Sequence, residues 1–356
     1  MPPTATLTAP EPPQLAATHP VAEAARRGLT ATPKSLPPWL FYDAPGSRLF
    51  EQITTLPEYY LTRTERDLFT AHADEIFHLA HHKTGCPTSG FSDVGAANLT
   101  IVELGAGTAS KTGILLRALT RLQPRVLYQP IDISPTALDE ACESIESNIP
   151  GVTVRPQVAN YITESVRIER PPHARILALY IGSSIGNFSP AEARQILTRL
   201  RSELAPGDAL LLGTDLAPDP ATNSHGKSIA TLLAAYNDTQ GVTAAFNRNI
   251  LARLNRELGA DFRPERFLHR ALWNPTHSRI EIYLESLSAQ TVHIPANSAG
   301  GRLSLHFAGG ETIHTENSYK FTPAAIANLL AEARFTPTRT FTDAHNRFAV
   351  TLATAV

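Results

Sequence analysis

The stretch Thr100-Ile101-Val102-Glu103-Leu104-Gly105-Ala106-Gly107-Thr108-Ala109-Ser110-Lys111-Thr112 is a short apolar strand running into a glycine loop. A helix follows at once over Lys111–Leu122, with Ile114, Leu115, Ala118, Leu119 and Leu122 at helical spacing. Glycines at such a turn let the backbone approach a ligand at the carboxyl end of a parallel strand. The alternation continues outward. Val126–Ile131 reads as a second strand, and Ser134-Pro135 opens a helix with serine as cap and proline at the first helical position. Val152–Val158 is a third strand, and Ile176–Ile181 a fourth, near-continuously apolar as a strand buried on both faces must be. Ser189-Pro190-Ala191-Glu192 is a capping box opening a helix to about Leu204, and Ala209–Asp215 is a fifth strand. This pattern predicts an α/β fold with a doubly wound parallel sheet.

Upstream, a helix over about 64–81 places Leu68, Phe69, Ala73, Ile76, Phe77 and Ala80 on one face. After residue 227 the rhythm changes to two helical stretches, about 227–238 and 243–258. Alternating segments at 278–288, 290–294, 302–307 and 311–321 follow, making a separate α+β piece. Thr322-Pro323 then caps a helix, and strands at 335–342 and 347–354 end the chain. A helix plus hairpin is what a parallel sheet needs to finish on an antiparallel strand, so the α+β piece reads as an insertion. Residues 1–20, Lys83–Asn98 and Asp219–Lys227 have loop or disordered composition.

Composition bounds the function. The 356 residues carry 31 basic and 33 acidic side chains, for a net charge of −2, which argues against a general nucleic-acid binder. At 42% apolar and 18% charged the chain has enough for sizeable cores. Cys86 and Cys142 cannot build a disulfide framework, and the 13 histidines scatter without metal-ligand spacing. No apolar run reaches the roughly 18 residues of a membrane span, and no signal peptide is evident. The expectation is a cytoplasmic, monomeric protein acting on a small molecule, with no metal.

Read as a dinucleotide fingerprint the glycine loop is G-x-G-x-x-S, with Ser110 where a third glycine or alanine should stand. Glu103, just ahead of Gly105 and Gly107, suits the cationic amine of S-adenosylmethionine (SAM) better than a pyrophosphate; NAD is the runner-up. Asp132 ends the second strand, well placed for ribose hydroxyls. Asn160-Tyr161 ends the third, where the amide can meet an adenine amine and the ring can pack on it; a plain strand-end turn is the alternative. After the fourth strand, Gly182-Ser183-Ser184-Ile185-Gly186-Asn187 leaves an amide beside the reactive end of the ligand, or simply supports the next turn.

The chain strongly resembles the histidine Nα-methyltransferases of ergothioneine biosynthesis. The resemblance lies in Lys34-Ser35-Leu36-Pro37-Pro38, Phe41-Tyr42-Asp43, Leu56-Pro57-Glu58-Tyr59-Tyr60, Thr62-Arg63-Thr64-Glu65, Glu103-Leu104-Gly105 and Gly182 through Asn187. It continues in Leu212-Gly213-Thr214-Asp215-Leu216, Tyr236, Gly241 through Asn249, and Glu316 through Phe321. It implies a class I methyltransferase core, over 63–226 and 321–356. It also implies a substrate-binding domain assembled from 21–62 and 227–320, and three methylations of the α-amine of L-histidine to give hercynine. Residue by residue, it implies that Gly105, Lys111 and Asp132 hold the cofactor, with Asn160-Tyr161 at the adenine. Tyr59, Gly182, Asn187 and Tyr236 would grip the amino acid's amine and carboxylate. Glu316 and Ser318 would read the imidazole, with Tyr42 nearby. Two positions depart from the family's pattern: Asn160 replaces an acidic residue, and Ile282 replaces a methionine of the side-chain pocket. Methylation of tryptophan or tyrosine is the near rival. Taken singly, Tyr59 and Tyr236 could be packing residues and Glu316 a strand carboxylate pairing with Lys320.

Overall fold

The computed structural model describes residues 20–81, 98–162, 164–218, 227–295 and 301–356. The proposed lead-in up to residue 19, most of the Lys83–Asn98 loop with Cys86, and residues 219–226 of the third loop lie outside the described residues.

Helix α1 (Pro20–Leu29), the short strand β1 (Lys34–Ser35), α2 (Ala44–Thr55) and the long α3 (Tyr60–His81) come first. The core then alternates through β2 (Leu99–Leu104), α4 (Thr112–Leu122), β3 (Val126–Asp132), α5 (Pro135–Asn148) and the short β4 (Val152–Val154) and β5 (Gln157–Val158). It continues with β6 (Arg175–Tyr180), α6 (Pro190–Ser202) and β7 (Ala209–Asp215). Caps act where the sequence places them. Ser134 receives the Ala137 N–H, and Ser189 and Glu192 form a complete capping box. The expected third strand is split, because Pro156 lacks the N–H a continuous ladder needs.

The sheet order is β13-β14-β7-β6-β2-β3-β4, with β5 also pairing β3. Strands β7, β6, β2, β3 and β4 run parallel. The chain closes with helix α9 (Pro323–Glu332), β13 (Phe335–Thr342) and β14 (Phe348–Ala355), and β14 slots antiparallel between β7 and β13. Strands β2 and β7 are buried along their whole length. The alternate residues of β6 feed two cores. Leu177 and Leu179 pack toward the α3–α4 side, and Ile176, Ala178 and Tyr180 toward α6 and α9. A parallel sheet finished by this hairpin is the class I methyltransferase topology.

Between β7 and α9 the chain leaves the core for α7 (Ile229–Ala235), α8 (Val242–Leu258), β8 (Phe267–Asn274), β9 (Arg279–Ser286), β10 (Gln290–Ile294), β11 (Leu303–Phe307) and β12 (Thr312–Tyr319). A second sheet, ordered β1-β12-β9-β8, takes β1 from the N-terminal segment, parallel to β12. The exit and return points are stitched together, with Leu216 bridging Phe321 and Phe321 N–H donating to the Asp215 carbonyl at 2.9 Å. Strand β8 has no counterpart in the sequence reading. One of its inward positions is His269, which breaks the apolar alternation while its ring bonds Asn247 (2.9 Å) and the Tyr236 carbonyl (2.8 Å).

Candidate functional site

Strand order reverses at β2, which lies between β3 and β6. In such sheets a crevice opens at the carboxyl ends of the strands flanking the reversal. The loops after β2 and β6 are the two that carry the glycine signals. Gly105 and Gly107 have φ of +68° and +53°, and a Cβ on Gly105 would stand 3.1 Å from the Tyr161 hydroxyl. At Gly107 a Cβ would meet nothing within 4 Å, so the backbone there faces open space. Asp132 closes the cradle. Its carboxylate accepts the Gly107 and Ser134 N–H groups, each at 2.9 Å, which orients it and leaves lone pairs free.

Other cofactor-side residues are placed less simply. Asn160 Oδ1 accepts the Ile162 N–H at 3.1 Å in a local turn, leaving the side-chain NH2 and one lone pair. The Tyr161 ring stands edge-on to Tyr180, with centroids 5.8 Å apart. Glu103 corrects the expectation that its carboxylate faces a ligand amine. It is buried and turned inward, with the Thr112 hydroxyl 2.8 Å from each oxygen and the Tyr128 hydroxyl donating to it. Burial pushes this carboxyl up to about 7. Its work is to staple the start of α4 to β2 and β3. Lys111 does reach the crevice, where its ammonium is 2.5 Å from Glu65 of α3 and lies against Gly182. Glu65 also accepts the Gly182 N–H at 2.8 and 3.0 Å.

Beside this cradle, one cavity is lined by Tyr42, Tyr59, Gly182, Asn187, Tyr236 and Ser318, together with Phe50. These residues come from widely separated parts of the sequence. Tyr42 follows a short helical turn (Pro38–Phe41), Tyr59 precedes α3, and Asn187 ends the turn Ser184–Asn187 after β6. Tyr236 caps α7, and Ser318 lies on β12. The rings of Tyr42, Phe50, Tyr59 and Tyr236 form a chain of edge contacts, with centroids 5.8–6.4 Å apart. Burial raises the Tyr42, Tyr59 and Tyr236 hydroxyls well above their ordinary range, so all three stay neutral.

Glu316 lines an adjoining cavity of ≈ 330 Å³, which shares Asn187 with the first and runs along α1 and residues 35–38. Two positions from Ser318, it projects to the same side of β12. Burial lifts its carboxyl to about 7, against a smaller downward pull from Lys320. Ile282 sits directly opposite Glu316 on β9 and is buried in the core. The pairing partner of Lys320 is Asp215 at 2.8 Å, not Glu316. Sequence reasoning missed Glu65, Asp215 and Lys227 as members of this region. A glycine offered a faint signal for Glu65, since a Cβ on Gly213 would stand 2.1 Å from its Oε1. Among the described residues no group of three or more His, Cys, Asp or Glu could hold a metal, and no helix is long and apolar enough to cross a membrane.

A profile of the family described as histidine-specific methyltransferase, SAM-dependent, matches residues 21–355. The chain belongs to this family. Its similarity to two curated bacterial relatives runs nearly end to end. The histidine N-alpha-methyltransferase of Mycolicibacterium smegmatis is 42% identical over 93% of this chain and 95% of that protein. The protein of the same name from Mycobacterium tuberculosis is 40% identical over 92% of each. The ergothioneine biosynthesis protein 1 of Neurospora crassa is 32% identical over 64% of this chain, which spans 23% of that longer protein. Membership in this SAM-dependent family sets aside the NAD reading of the glycine loop.

Proposed function

We propose that this chain transfers three methyl groups from SAM to the α-amine of L-histidine, giving hercynine, the first step of ergothioneine biosynthesis. The observation that carries the proposal is the cavity beside the sheet's switch point, where Tyr42, Tyr59, Gly182, Asn187, Tyr236 and Ser318 converge. When bound, SAM supplies an electrophilic methyl on a sulfonium. Gly105, Gly107, Lys111, Asp132, Asn160 and Tyr161 would hold it, and the open backbone at Gly107 with the oriented Asp132 carboxylate fits such a ligand.

Methyl transfer to nitrogen needs an aligned lone pair, so positioning supplies much of the acceleration. The Asn187 amide can accept from the amine and donate to the carboxylate, fixing that lone pair. The neutral Tyr59 hydroxyl can hold the carboxylate without placing a cation beside a sulfonium. Glu316, once ionised, accepts an imidazole N–H in a charge-assisted bond worth roughly 1.5–3 kcal/mol. The product is a quaternary ammonium, and the ring faces of Tyr42, Phe50, Tyr59 and Tyr236 suit that cation.

In this reading residues 21–62 and 227–320 form the substrate-binding body, and 321–356 complete the core begun at 63–226. The chain acts as a cytoplasmic monomer on free histidine, without metal, nucleic acid or membrane. Thermal shift with S-adenosylhomocysteine and with NAD tests the cofactor half, since a ligand that binds only the folded state raises its melting temperature. Stabilisation by S-adenosylhomocysteine alone is expected, and stabilisation by NAD alone would refute the proposal.

A further inference from the structure

One buried cluster takes no part in the chemistry described so far. Asp215, at the end of β7, is fully buried and met by three side chains. The Tyr60 hydroxyl lies 2.9 and 3.0 Å from its oxygens, Lys227 donates to Oδ1 and to the Leu216 carbonyl, and Lys320 Nζ is 2.8 Å from Oδ2. Burial pushes the Asp215 carboxyl up, but the two lysines outweigh it and hold the group below its usual range. Lys320 is also fully buried. It reaches past Asp215 to the Tyr236 hydroxyl at 2.7 Å and to Ser318 Oγ at 2.8 Å. Those two hydroxyls are 2.9 Å apart, and both line the cavity.

An ammonium has three donors and no acceptor, and the Lys320 ammonium has three oxygen neighbours. Asp215, Tyr236 and Ser318 take one donor each, so both hydroxyl oxygens act as acceptors toward Lys320. Two hydroxyl protons remain. One closes the contact between Tyr236 and Ser318, and the other has no partner within this group.

We propose that Lys320 is a positioning residue that fixes the polarity of the Tyr236–Ser318 pair, so that the cavity presents one hydrogen-bond donor beside the Glu316 acceptor. The inference deepens the functional reading above and rests on it. A neutral imidazole satisfies both groups at once, with its N–H toward Glu316 and its second ring nitrogen accepting from the hydroxyl pair. An indole has the N–H and lacks the accepting nitrogen. Lys320 thereby contributes to side-chain selection without touching the amino acid.

The test is Lys320→Met, which keeps the length and apolar stem and removes all three donors, while Lys227 and Tyr60 still satisfy Asp215. Steady-state kinetics with histidine and titration with S-adenosylhomocysteine are the readouts. The histidine KM is expected to rise about tenfold, as for loss of a hydrogen bond to a buried partner, with S-adenosylhomocysteine affinity held within about twofold. In a Tyr236→Phe, Ser318→Ala background the same substitution should shift the histidine KM by less than about twofold, because the groups it orients are gone. Equal losses in both backgrounds, or a parallel loss of S-adenosylhomocysteine affinity, would overturn the proposal. If Lys320→Met does not fold, Lys320→Arg takes its place, since a guanidinium keeps the charge at Asp215 but cannot serve both hydroxyls in the same geometry. An unchanged histidine KM in folded Lys320→Arg would also overturn it. A parent protein inert toward histidine sinks the functional reading and this inference together, and is recognised before any variant is made.

Discussion

Glu65 accepts the backbone N–H of Gly182 at 2.8 Å, so a helix outside the parallel sheet controls the loop at its switch point. The same carboxylate holds the Lys111 ammonium, tying the loop after β2 and the loop after β6 to one buried charge. Glu65→Ala leaves Lys111 and Gly182 without this partner, and breaking such a buried pair costs about 3 kcal/mol. The expected outcome is a lower melting temperature together with weaker S-adenosylhomocysteine binding. Unchanged binding in a folded variant would show that Glu65 does not organise the cradle.

In the proposed function, Glu316 sets the pH dependence of substrate capture. Its carboxyl is raised to about 7 by burial, and only the ionised form accepts an imidazole N–H. Below that pH the group is protonated, so kcat/KM for histidine should climb as pH rises through about 7. Glu316→Gln should flatten that limb while the substrate's own titrations persist. Glu316→Ala should raise the histidine KM roughly ten- to hundredfold, the value of one charge-assisted bond, with cofactor affinity nearly unchanged. A limb at about 7 that survives in Glu316→Gln would assign it to another group.

Phe50 is the ring in the cavity wall that carries no hydroxyl. Phe50→Leu keeps much of the packing and removes a π face. Cation–π stabilisation is worth about 0.5–2 kcal/mol, and the cationic product gains most from it. The variant should accumulate dimethylhistidine relative to the trimethylated product, read by mass spectrometry of a time course. An unaltered distribution would mean that this ring does not face the ammonium.

Gly105→Ala places a side chain at φ +68° and 3.1 Å from the Tyr161 hydroxyl. A left-handed non-glycine residue costs about 1–2 kcal/mol, before Tyr161 moves. The expected result is weaker cofactor binding with little change in histidine KM at saturating cofactor. Wild-type affinity in this variant would show that the loop does not need glycine.

Much of the fold could be read because its signals are local. The glycine loop after β2, the capping box at Ser189 and the closing helix and hairpin lie within a few residues of what they specify. Strand β8 was hidden because a buried histidine looks polar when its partners, Asn247 and the Tyr236 carbonyl, are distant in sequence. The site shows the same division. Tyr59, Asn187, Tyr236 and Ser318 emerged through the pattern of a family and do share a cavity. Lys227 reads as the end of a polar loop and Lys320 as a candidate partner of Glu316, since only Asp215, brought from β7, makes their burial tolerable. Glu103 failed in the opposite way, because position beside the glycines said nothing about Thr112 and Tyr128 claiming its carboxylate.

The proposed function is methylation of the α-amine of histidine in this cavity. Mass spectrometry of a mixture of free amino acids incubated with the protein and SAM tests it most directly. Histidine gaining three methyl groups, with mono- and dimethyl forms appearing earlier, is the predicted result. Transfer to tryptophan or tyrosine while histidine stays unmodified would contradict the account.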